Sequence, residues 1–245
     1  MQNIKEYQVI IVGLLIALGT IISTIILSNA VVQFQKLQNQ TIRVTGSASQ
    51  NVTSDFAKLN LRITTRTPDL KSGYAKLDSD VKTIKEFLMS NGIDEKSINT
   101  TPVDSYEFYK RSGAYTTNDI EGFNLSQGIE ISSKDINKVT EISKKTDVLI
   151  NKNINVSSNS VDYYVSNLDD IKVKMVGEAT KNAKERAESM VAGTNGKIGS
   201  MTGAKMGVFQ IVPVNSTDVS DYGINDTTSI EKKVISTVNV TFNVK

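Results

Sequence analysis

The chain has 245 residues, a net charge of +2 with its charges interspersed, and neither cysteine nor histidine. The missing cysteines exclude disulfide bonds, thiolate metal sites and cysteine nucleophiles, and the missing histidines remove the commonest general base and transition-metal ligand. The interspersed charge gives no basic footprint for a nucleic acid. Together the two absences favour a protein that is not an enzyme.

The first feature along the chain is an apolar run of nineteen residues, Val9–Leu27, without a charged side chain. A helix rises about 1.5 Å per residue, so the run spans roughly 28 Å, close to the hydrocarbon thickness of a bilayer. We therefore predict a short tail at 1–8, a transmembrane anchor at 9–28 and a polar stalk at 29–40.

Two other interpretations of this run stay open. A secretory signal would be cleaved at a small-x-small site, for which Ser28-Asn29-Ala30 is the candidate. A buried core helix is the other, although nothing polar breaks the run into an amphipathic face. The N-terminal position of the run predicts a single-pass protein of the cell membrane, with domain 41–245 outside the cytoplasm, on the periplasmic or extracellular side.

Alternating residues after the stalk predict β-strands at 41–47 and 52–66. We predict the next helix from Pro68, because proline suits the first helical position, to Asn91-Gly92, a pair that ends helices in the left-handed conformation. Its apolar positions recur every three or four residues, as an amphipathic helix requires: Leu70, Tyr74, Leu77, Val81, Ile84 and Leu88.

Two further strands are predicted at 98–109 and 117–132, joined by a loop at Arg111–Gly113, and they are followed by a helix at 134–147 and a strand at 153–165. The order strand, helix, strand, strand, helix, strand is the split βαβ order of a ferredoxin-like unit, here preceded by one extra strand. The fold class predicted is therefore α+β, an antiparallel sheet with helices on one face.

The last third of the chain adds a further helix and C-terminal strands. A helix at 167–193 is predicted to turn one stripe inward: Leu168, Ile171, Met175, Ala179, Ala183, Ala187 and Met190. A Gly-rich stretch at 193–207, a strand at 207–214, an acidic loop at 215–231 and a final alternating strand at 233–244 complete the prediction.

The order of these elements and several short motifs resemble the SIMPL-domain family, which includes bacterial periplasmic immunogenic proteins. The motifs are Ile42-x-Val44-x-Gly46, Asp55-x-Ala57, Gly92-Ile93 with Ile98-x-Thr100, Gly122-Phe123, the alanines 179, 183 and 187, and Gly196-Lys197-Ile198-Gly199. The resemblance covers roughly 41–245 and implies an exported α+β domain. Some members are associated with oxidative or envelope stress, and some assemble into large rings.

The resemblance supplies no active site, so no catalytic, cofactor-binding or metal-ligating residue and no cofactor is assigned. The segment Gly193–Ser200 faintly resembles a phosphate loop, but Ile198 follows its lysine and the segment leaves a helix, which favours a helix stop. Two Ser-x-x-Lys pairs, Ser79-Lys82 and Ser229-Lys232, lack the companion motifs of acylating enzymes.

Two clusters are compatible with more than one role. The acidic loop holds Asp218, Asp221, Asp226 and Glu231, but its spacing does not fit a calcium loop, and a solvated loop is favoured. Aromatic residues gather on a predicted hairpin, where core packing and an exposed contact patch are both open: Tyr106, Phe108, Tyr109 and Tyr115.

Three functions follow from these observations. The leading one is a non-enzymatic, membrane-anchored envelope protein whose partner is a further copy of itself; open sheet edges invite pairing, and strands 52–66 and 233–244 are the candidate edges. The second is a monomeric module that binds a small molecule or peptide outside the cytoplasm. The weakest is a hydrolase that uses Ser/Lys or carboxylates.

Overall fold

The computed structural model describes residues 2–39 and 41–245, with side chains at 12–33 and 41–245. This part of the chain is an α+β protein with five α-helices and two sheets. The helices are α1 (Gln2–Asn39), α2 (Leu70–Ser90), α3 (Ile136–Lys144), α4 (Asp147–Ile150) and α5 (Leu168–Ala192). The strands are β1 (Thr41–Thr53), β2 (Phe56–Thr67), β3 (Ile98–Thr100), β4 (Asp104–Ser112), β5 (Tyr115–Ser133), β6 (Val156–Ser158), β7 (Asp162–Tyr164), β8 (Ile198–Met206), β9 (Gln210–Pro213), β10 (Ile224–Asn225) and β11 (Glu231–Val244).

These elements form two compact units. Unit 1 comprises Met1–Ala48, Val176–Gly207 and Ser236–Lys245, and unit 2 comprises Ser49–Met175 and Val208–Ile235. Three elements, β1, α5 and β11, contribute residues to both units.

Helix α1 contains a stretch, Val12–Gln33, with a mean hydropathy of 2.2 and none of its surface buried. Its length and composition are sufficient to cross a membrane, and a signal sequence has the same properties. The helix continues through most of the predicted stalk to Asn39. The side chains of the predicted tail 1–8, and of the first predicted anchor residues 9–11, lie outside the described residues.

The core of unit 1 is formed by α5 packed on strands. In this unit β11 pairs antiparallel with β8, so that Val238 lies opposite Met206 and Val240 opposite Ala204. Three alanines at four-residue spacing on α5 are fully buried against the apolar side chains of β1 and β11: Ala179, Ala183 and Ala187 against Val44, Val238, Val240 and Phe242.

Small residues let α5 approach β1 closely. A Cβ atom added at Gly46 would lie 2.1 Å from the carbonyl oxygen of Ala179 and 2.6 Å from the Cβ of Ala183. Because the nearest atom belongs to the helix backbone, no side-chain adjustment relieves that overlap. The motif Ile42-x-Val44-x-Gly46 is therefore explained by packing.

Unit 2 contains a six-stranded sheet in the order β3-β5-β2-β6, with β4 also beside β5 and β7 beside β2. Every pair in this sheet is antiparallel. The remaining strands of the unit pair separately: β11 runs antiparallel to β9, whereas the two residues of β10 pair in parallel with β9. The sequence predicted a single antiparallel sheet. The second sheet and the parallel pair β9–β10 were not predicted.

One face of the six-stranded sheet carries the main core. The apolar stripe of α2 is buried there with residues of α3, β2 and β5: Leu77, Val81, Ile84, Leu88, Val139, Ile142, Leu59, Leu61, Ile63, Leu125, Ile129 and Ile131. Helix α2 ends at Asn91 and a left-handed Gly92 with φ of 83°, as predicted. Its start was wrong: Asp69, not Pro68, leads into the helix, because the Asp69 side chain accepts a hydrogen bond from the Ser72 amide.

Both strands predicted as sheet edges are in fact interior. Strand β2 lies between β5 on one side and β6 and β7 on the other, and β11 lies between β1 on one side and β8 and β9 on the other. Each has an alternating pattern of buried side chains because two neighbours and a helix cover it. The prediction that segments 52–66 and 233–244 supply free edges was therefore wrong.

Several predicted boundaries also differ from the structure. The predicted strand at 98–109 divides into β3 and β4 around Pro102, which has no N–H to donate, while Thr101 exchanges two hydrogen bonds with Gly128. The Gly-rich stretch 193–207, in which no strand was predicted, contains β8. Met190, predicted to point inward, is 60 % exposed, and Val191 is buried in its place.

Candidate functional site

The first Ser-x-x-Lys pair does not form a site. Ser79 and Lys82 are both exposed on α2, and the carbonyl oxygen of Ser79 accepts the hydroxyl of Thr83 within the same helix. Both side chains are therefore open to water. The pair therefore has the surroundings of an ordinary helix surface.

The second pair leads to the most unusual charge in unit 2. Lys232 on β11 is only 2 % exposed. Its Nζ donates to the carbonyl oxygen of Asp226 at 2.5 Å and lies 3.8 Å from Oδ2 of the same residue. Burial lowers the pKa of the Lys232 amine, and the charges of Asp226 and Asp162 oppose that change. The Lys232 amine is thus held by Asp226 through a hydrogen bond and an ion pair.

The Asp226 carboxylate is held by its own loop as well. Its Oδ1 accepts the backbone N–H of Thr228 at 2.9 Å and the hydroxyl of Thr228 at 2.7 Å. Burial raises the pKa of this carboxyl, but the hydrogen bonds from Thr228 and Ser229 and the charge of Lys232 outweigh burial and bring its pKa below the usual value. This arrangement is an internal ion pair that fixes the loop before β11.

The acidic loop does not gather its carboxylates. Asp218 accepts the hydroxyl of Ser216, Glu231 accepts the hydroxyl of Thr53, and Asp226 faces Lys232. Across the residues that the structure describes, no group of three or more His, Cys, Asp or Glu side chains is placed to hold a metal ion.

The segment Gly193–Ser200 is the end of a helix followed by a strand. The amides of Thr194 and Gly196 both donate to the carbonyl oxygen of Val191, and Asn195 adopts a left-handed φ of 57°. This is a standard way to satisfy the last carbonyls of a helix. The predicted helix stop is confirmed.

Unit 2 also has a concave surface of about 330 Å³ that mixes apolar and polar groups. Its lining includes Phe209, Ile211, Leu168 and Lys172, and the Lys172 ammonium lies 6.0 Å from the centre of the Phe209 ring. Tyr222 at its rim is 97 % exposed. The volume falls at the lower end of the range of small-molecule sites.

The predicted aromatic hairpin is present and is formed by β4 and the first part of β5. Along β4, Phe108 is partly buried and every other residue is exposed. On the hairpin Tyr115 is 81 % exposed and Tyr106 56 %, with Ile120 and Tyr109 also exposed. Of the two alternatives left by the sequence, core packing is thus excluded for most of these residues.

Polar neighbours hold several hairpin rings in place. The Arg66 guanidinium lies 3.8 Å from the centre of the Phe108 ring, and the amide of Asn124 donates to the Tyr106 hydroxyl at 3.2 Å. The Tyr109 hydroxyl donates to Glu107 at 2.7 Å, and this carboxylate raises the pKa of the phenol. These contacts orient the rings while leaving much of their surface in water.

A comparison with protein-family models shows which family the chain belongs to. The model of the SIMPL family, described as a protein of unknown function (DUF541), matches residues 42–244. The chain therefore belongs to the SIMPL family, as its motifs suggested. A search of curated proteins found no match to it.

A second family motif, Asp55-x-Ala57, also has a structural role. The Asp55 carboxylate accepts the backbone N–H of Ser166 at 2.7 Å and also accepts the Ser166 hydroxyl. These hydrogen bonds lower the pKa of Asp55. Ala57 is completely buried in the core of unit 2. Asp55 thus ties the start of β2 to the segment that leads into α5.

Sequence reasoning missed the burial of Lys232. The signal available was its place in the alternation of β11, where Lys232 shares a face with the buried residues Val234, Val238 and Val240. A lysine on the apolar face of a strand indicates a buried partner, since an unpaired buried charge is costly. The identity of that partner, six residues upstream, depends on the path of the loop.

Proposed function

We propose that this SIMPL-family chain is a non-enzymatic, membrane-anchored envelope protein whose exported domain self-assembles into a large oligomer, a ring or cage. The observation that supports assembly most directly is the β4–β5 hairpin, which carries aromatic side chains outside the helix-covered core. Clustered exposed apolar groups rimmed by charges are typical of interaction sites. The lack of histidine and cysteine supports the non-enzymatic part.

The test is the solution mass of the full-length chain in detergent. We expect a discrete multimer for the natural chain and a clearly smaller species for a double variant, Tyr106→Ser with Tyr115→Ser. The matched control is Tyr222→Ser, which removes an even more exposed tyrosine elsewhere. A natural chain that remains monomeric at high concentration would contradict the proposal.

The anchor and the orientation form a separate part of the proposal. We infer that α1 is retained as a single-pass anchor and that residues 41–245 lie outside the cytoplasm. Because the chain has no cysteine, one introduced thiol reports its own location. Tyr222→Cys should react with a membrane-impermeant maleimide in intact cells, whereas Lys5→Cys should not. Equal labelling of both, or a mature protein that lacks residues 1–30, would contradict this orientation or this anchor.

We further propose that unit 2 has the ferredoxin-like split βαβ order. Its support is the sequence of elements β2, α2, β3, β5, α3 and β6, together with the sheet order β3-β5-β2-β6 and its antiparallel pairs. An experimental structure in which β2 and β5 are not neighbours would contradict it.

A role in envelope or oxidative stress is the least supported part, since it rests on the family resemblance alone. The expected result is that cells without the protein become more sensitive to an oxidant, and that the full chain restores resistance. The Tyr106→Ser/Tyr115→Ser variant should fail to restore it if assembly is required. Unchanged sensitivity would separate the protein from this process.

A second candidate function is a monomeric binding module for a small molecule or peptide. The concave surface beside Phe209 and Lys172 favours it. A ligand that raises the melting temperature of the natural chain, but not of a Lys172→Ala variant, would support this function. A monomeric chain without any stabilising ligand would exclude both candidates.

A further inference from the structure

The proposed self-assembly requires a surface, and the sheet edges differ in how well they are protected. The edges formed by β3, β6, β7 and β10 are two or three residues long, which is too short for stable pairing. The longer edges in the described residues are β1, β8, β4 and residues 115–122 of β5, which pair with β4 on one side only and carry the extra residues of two register shifts. Natural proteins protect such edges with bulges, charges or covering groups.

Strand β1 is covered by side chains of α5 within unit 1. The Asn182 side chain accepts the backbone N–H of Ser47 at 3.1 Å, and the Arg186 guanidinium donates to the carbonyl oxygen of Thr45 at 3.1 Å. These two backbone groups are therefore not free for another strand. A neighbour would first have to displace both side chains.

Strand β8 is irregular. Its register with β11 shifts twice, and at both shifts the extra residue lies on β8: Thr241 and Phe242 pair with Gly203 and Met201, whereas Val244 pairs with Ile198. A strand with two bulges in nine residues presents a broken row of backbone groups. This edge is poorly suited to continuous pairing.

Strand β4 is the regular edge. Its register with β5 also shifts, but the extra residues lie on β5: Phe108 and Tyr109 pair with Gly122 and Ile120, and Arg111 pairs with Thr116. At neither shift does β4 itself contribute an extra residue, so the bulges do not lie on this strand. Among the edges in the described residues, β4 is the long one that is neither covered nor bulged.

The sequence of β4, Asp-Ser-Tyr-Glu-Phe-Tyr-Lys-Arg-Ser, is complementary to itself in reverse. Its first half carries Asp104 and Glu107, its second half Lys110 and Arg111, and Phe108 lies between tyrosines near the centre. When two copies run antiparallel about Phe108, the acidic half of each strand faces the basic half of the other. No two like charges are directly opposed in this register.

We propose that β4 pairs antiparallel with β4 of a second copy of this chain, centred on Phe108, which joins two hairpins into one continuous sheet. This inference rests on the proposed self-assembly and names its surface. Tyr106 then lies opposite Lys110 of the second copy. Lys110 is diagonal to Asp104 of that copy, and Glu107 is diagonal to both its Arg111 and its Glu107. Such diagonal neighbours are about 7–8 Å apart, within reach of long side chains.

The contact has two-fold symmetry, so it closes after two chains. Any larger assembly built with this contact contains an even number of chains and needs a second surface. The exposed aromatic groups lose water in the contact, and the unpaired backbone groups of two edges satisfy each other.

Charge reversal in the full-length chain tests the pairing. The acidic variant carries Lys110→Glu and Arg111→Glu, and the basic variant carries Asp104→Lys and Glu107→Lys. Each alone should associate at least about tenfold more weakly than the natural chain, because like charges then face each other. An equimolar mixture of the two should regain association. The control, Asp78→Lys with Glu86→Lys on the exposed side of α2, changes net charge as much as the basic variant does.

The outcomes separate this inference from the proposed function. If the natural chain is monomeric, the proposed self-assembly fails and the β4 contact fails with it. If the natural chain is a multimer and both variants form multimers of the same mass with the same affinity, the β4 contact is overturned while self-assembly stands. Weakened variants that do not recover on mixing also overturn it. Circular dichroism should show that every variant is folded.

A cysteine cross-link provides a second measurement. Directly opposed residues of antiparallel strands have Cα atoms about 4.5–5.5 Å apart, a separation that suits a disulfide bond. Phe108→Cys should therefore form a disulfide-linked dimer on oxidation of the full chain. Tyr115→Cys, which is more exposed but far from the centre of the contact, should not. Equal cross-linking of the two variants would contradict the proposed register.

Discussion

The two parts of β5 differ in burial, although they belong to one strand. In the C-terminal part Leu125, Ile129 and Ile131 are buried beneath helices and between strands. In the N-terminal part Tyr115 and Ile120 are exposed, although they too are large and apolar. The C-terminal part of β5 stabilises the fold, whereas its N-terminal part is available for contact.

The difference in burial arises because helices cover only one part of β5, and not from the strand itself. Strand β5 pairs with β2 from Phe123 to Ser133, where α2 and α3 pack on the sheet, and its N-terminal part pairs with β4 alone. A two-stranded ribbon cannot bury its side chains by itself. An apolar residue therefore contributes stability in one part and a potential interface in the other.

The largest effect on stability is expected where a charge is buried. Asp226→Asn removes the nearer counter-charge of the buried Lys232 amine and leaves Asp162 as the other one, which should lower the free energy of unfolding at pH 7 by about 3–5 kcal/mol. The pKa of Asp226 is lowered in the folded state, so its contribution is present above about pH 4 and is lost as the pH falls through the folded pKa. Because Asp226→Asn lacks this carboxylate, its free energy of unfolding should fall less than that of the natural chain as the pH is lowered. Urea unfolding at several pH values measures both effects, with the exposed Asp221→Asn as control.

The next effect belongs to the covered core. Leu61→Ala removes a side chain that is 1 % exposed in the centre of β2 and should cost about 2–5 kcal/mol. Val219→Ala, at an exposed position, should change stability by less than about 0.5 kcal/mol. Guanidinium denaturation of both variants checks this. Equal costs would contradict the assignment of the core.

Gly122 lies at the junction of the two parts of β5 and should have an intermediate effect. An added Cβ would lie 2.4 Å from the carbonyl oxygen of Thr67 and 2.8 Å from the Phe108 ring. Gly122→Ala should therefore cost about 1–3 kcal/mol through strain. The control, Gly203→Ala, places its methyl group in open space. Thermal unfolding of the two variants should separate them clearly.

The smallest effect on stability is expected in the hairpin. Tyr115→Ser removes an exposed ring, so the unfolding free energy of the monomer should change by less than about 0.5 kcal/mol. Combined with Tyr106→Ser, the same change should weaken association of the full chain. Measurement at a concentration too low for association isolates the first effect. A large loss of monomer stability would show that the ring belongs to the core.

Periodic patterns made the covered regions predictable. The three- and four-residue spacing of α2 and the alternation of β2 and β11 follow directly from burial on one face. Strand β8 could not be predicted in this way, because it is exposed along most of its length and owes its form to pairing with β11. The same limit applied to the edges, since sequence alternation says which face is buried but not which neighbours a strand has.

The candidate site was only partly predictable for a related reason. The aromatic residues of β4 were visible in the sequence, but their exposure depends on where the helices of unit 2 end. The ion pair of Lys232 and Asp226 depends on how the loop returns to β11, which no local pattern encodes. Both features are set by tertiary structure.

Amide hydrogen exchange of the full-length chain at two concentrations tests the central claim most directly. If the hairpin is the assembly surface, the amides of β4, residues 104–112, should exchange more slowly in the concentrated sample, where chains associate. The covered amides of β2 should exchange equally slowly in both samples. Identical exchange of β4 at both concentrations, in a sample whose mass shows association, would contradict the account.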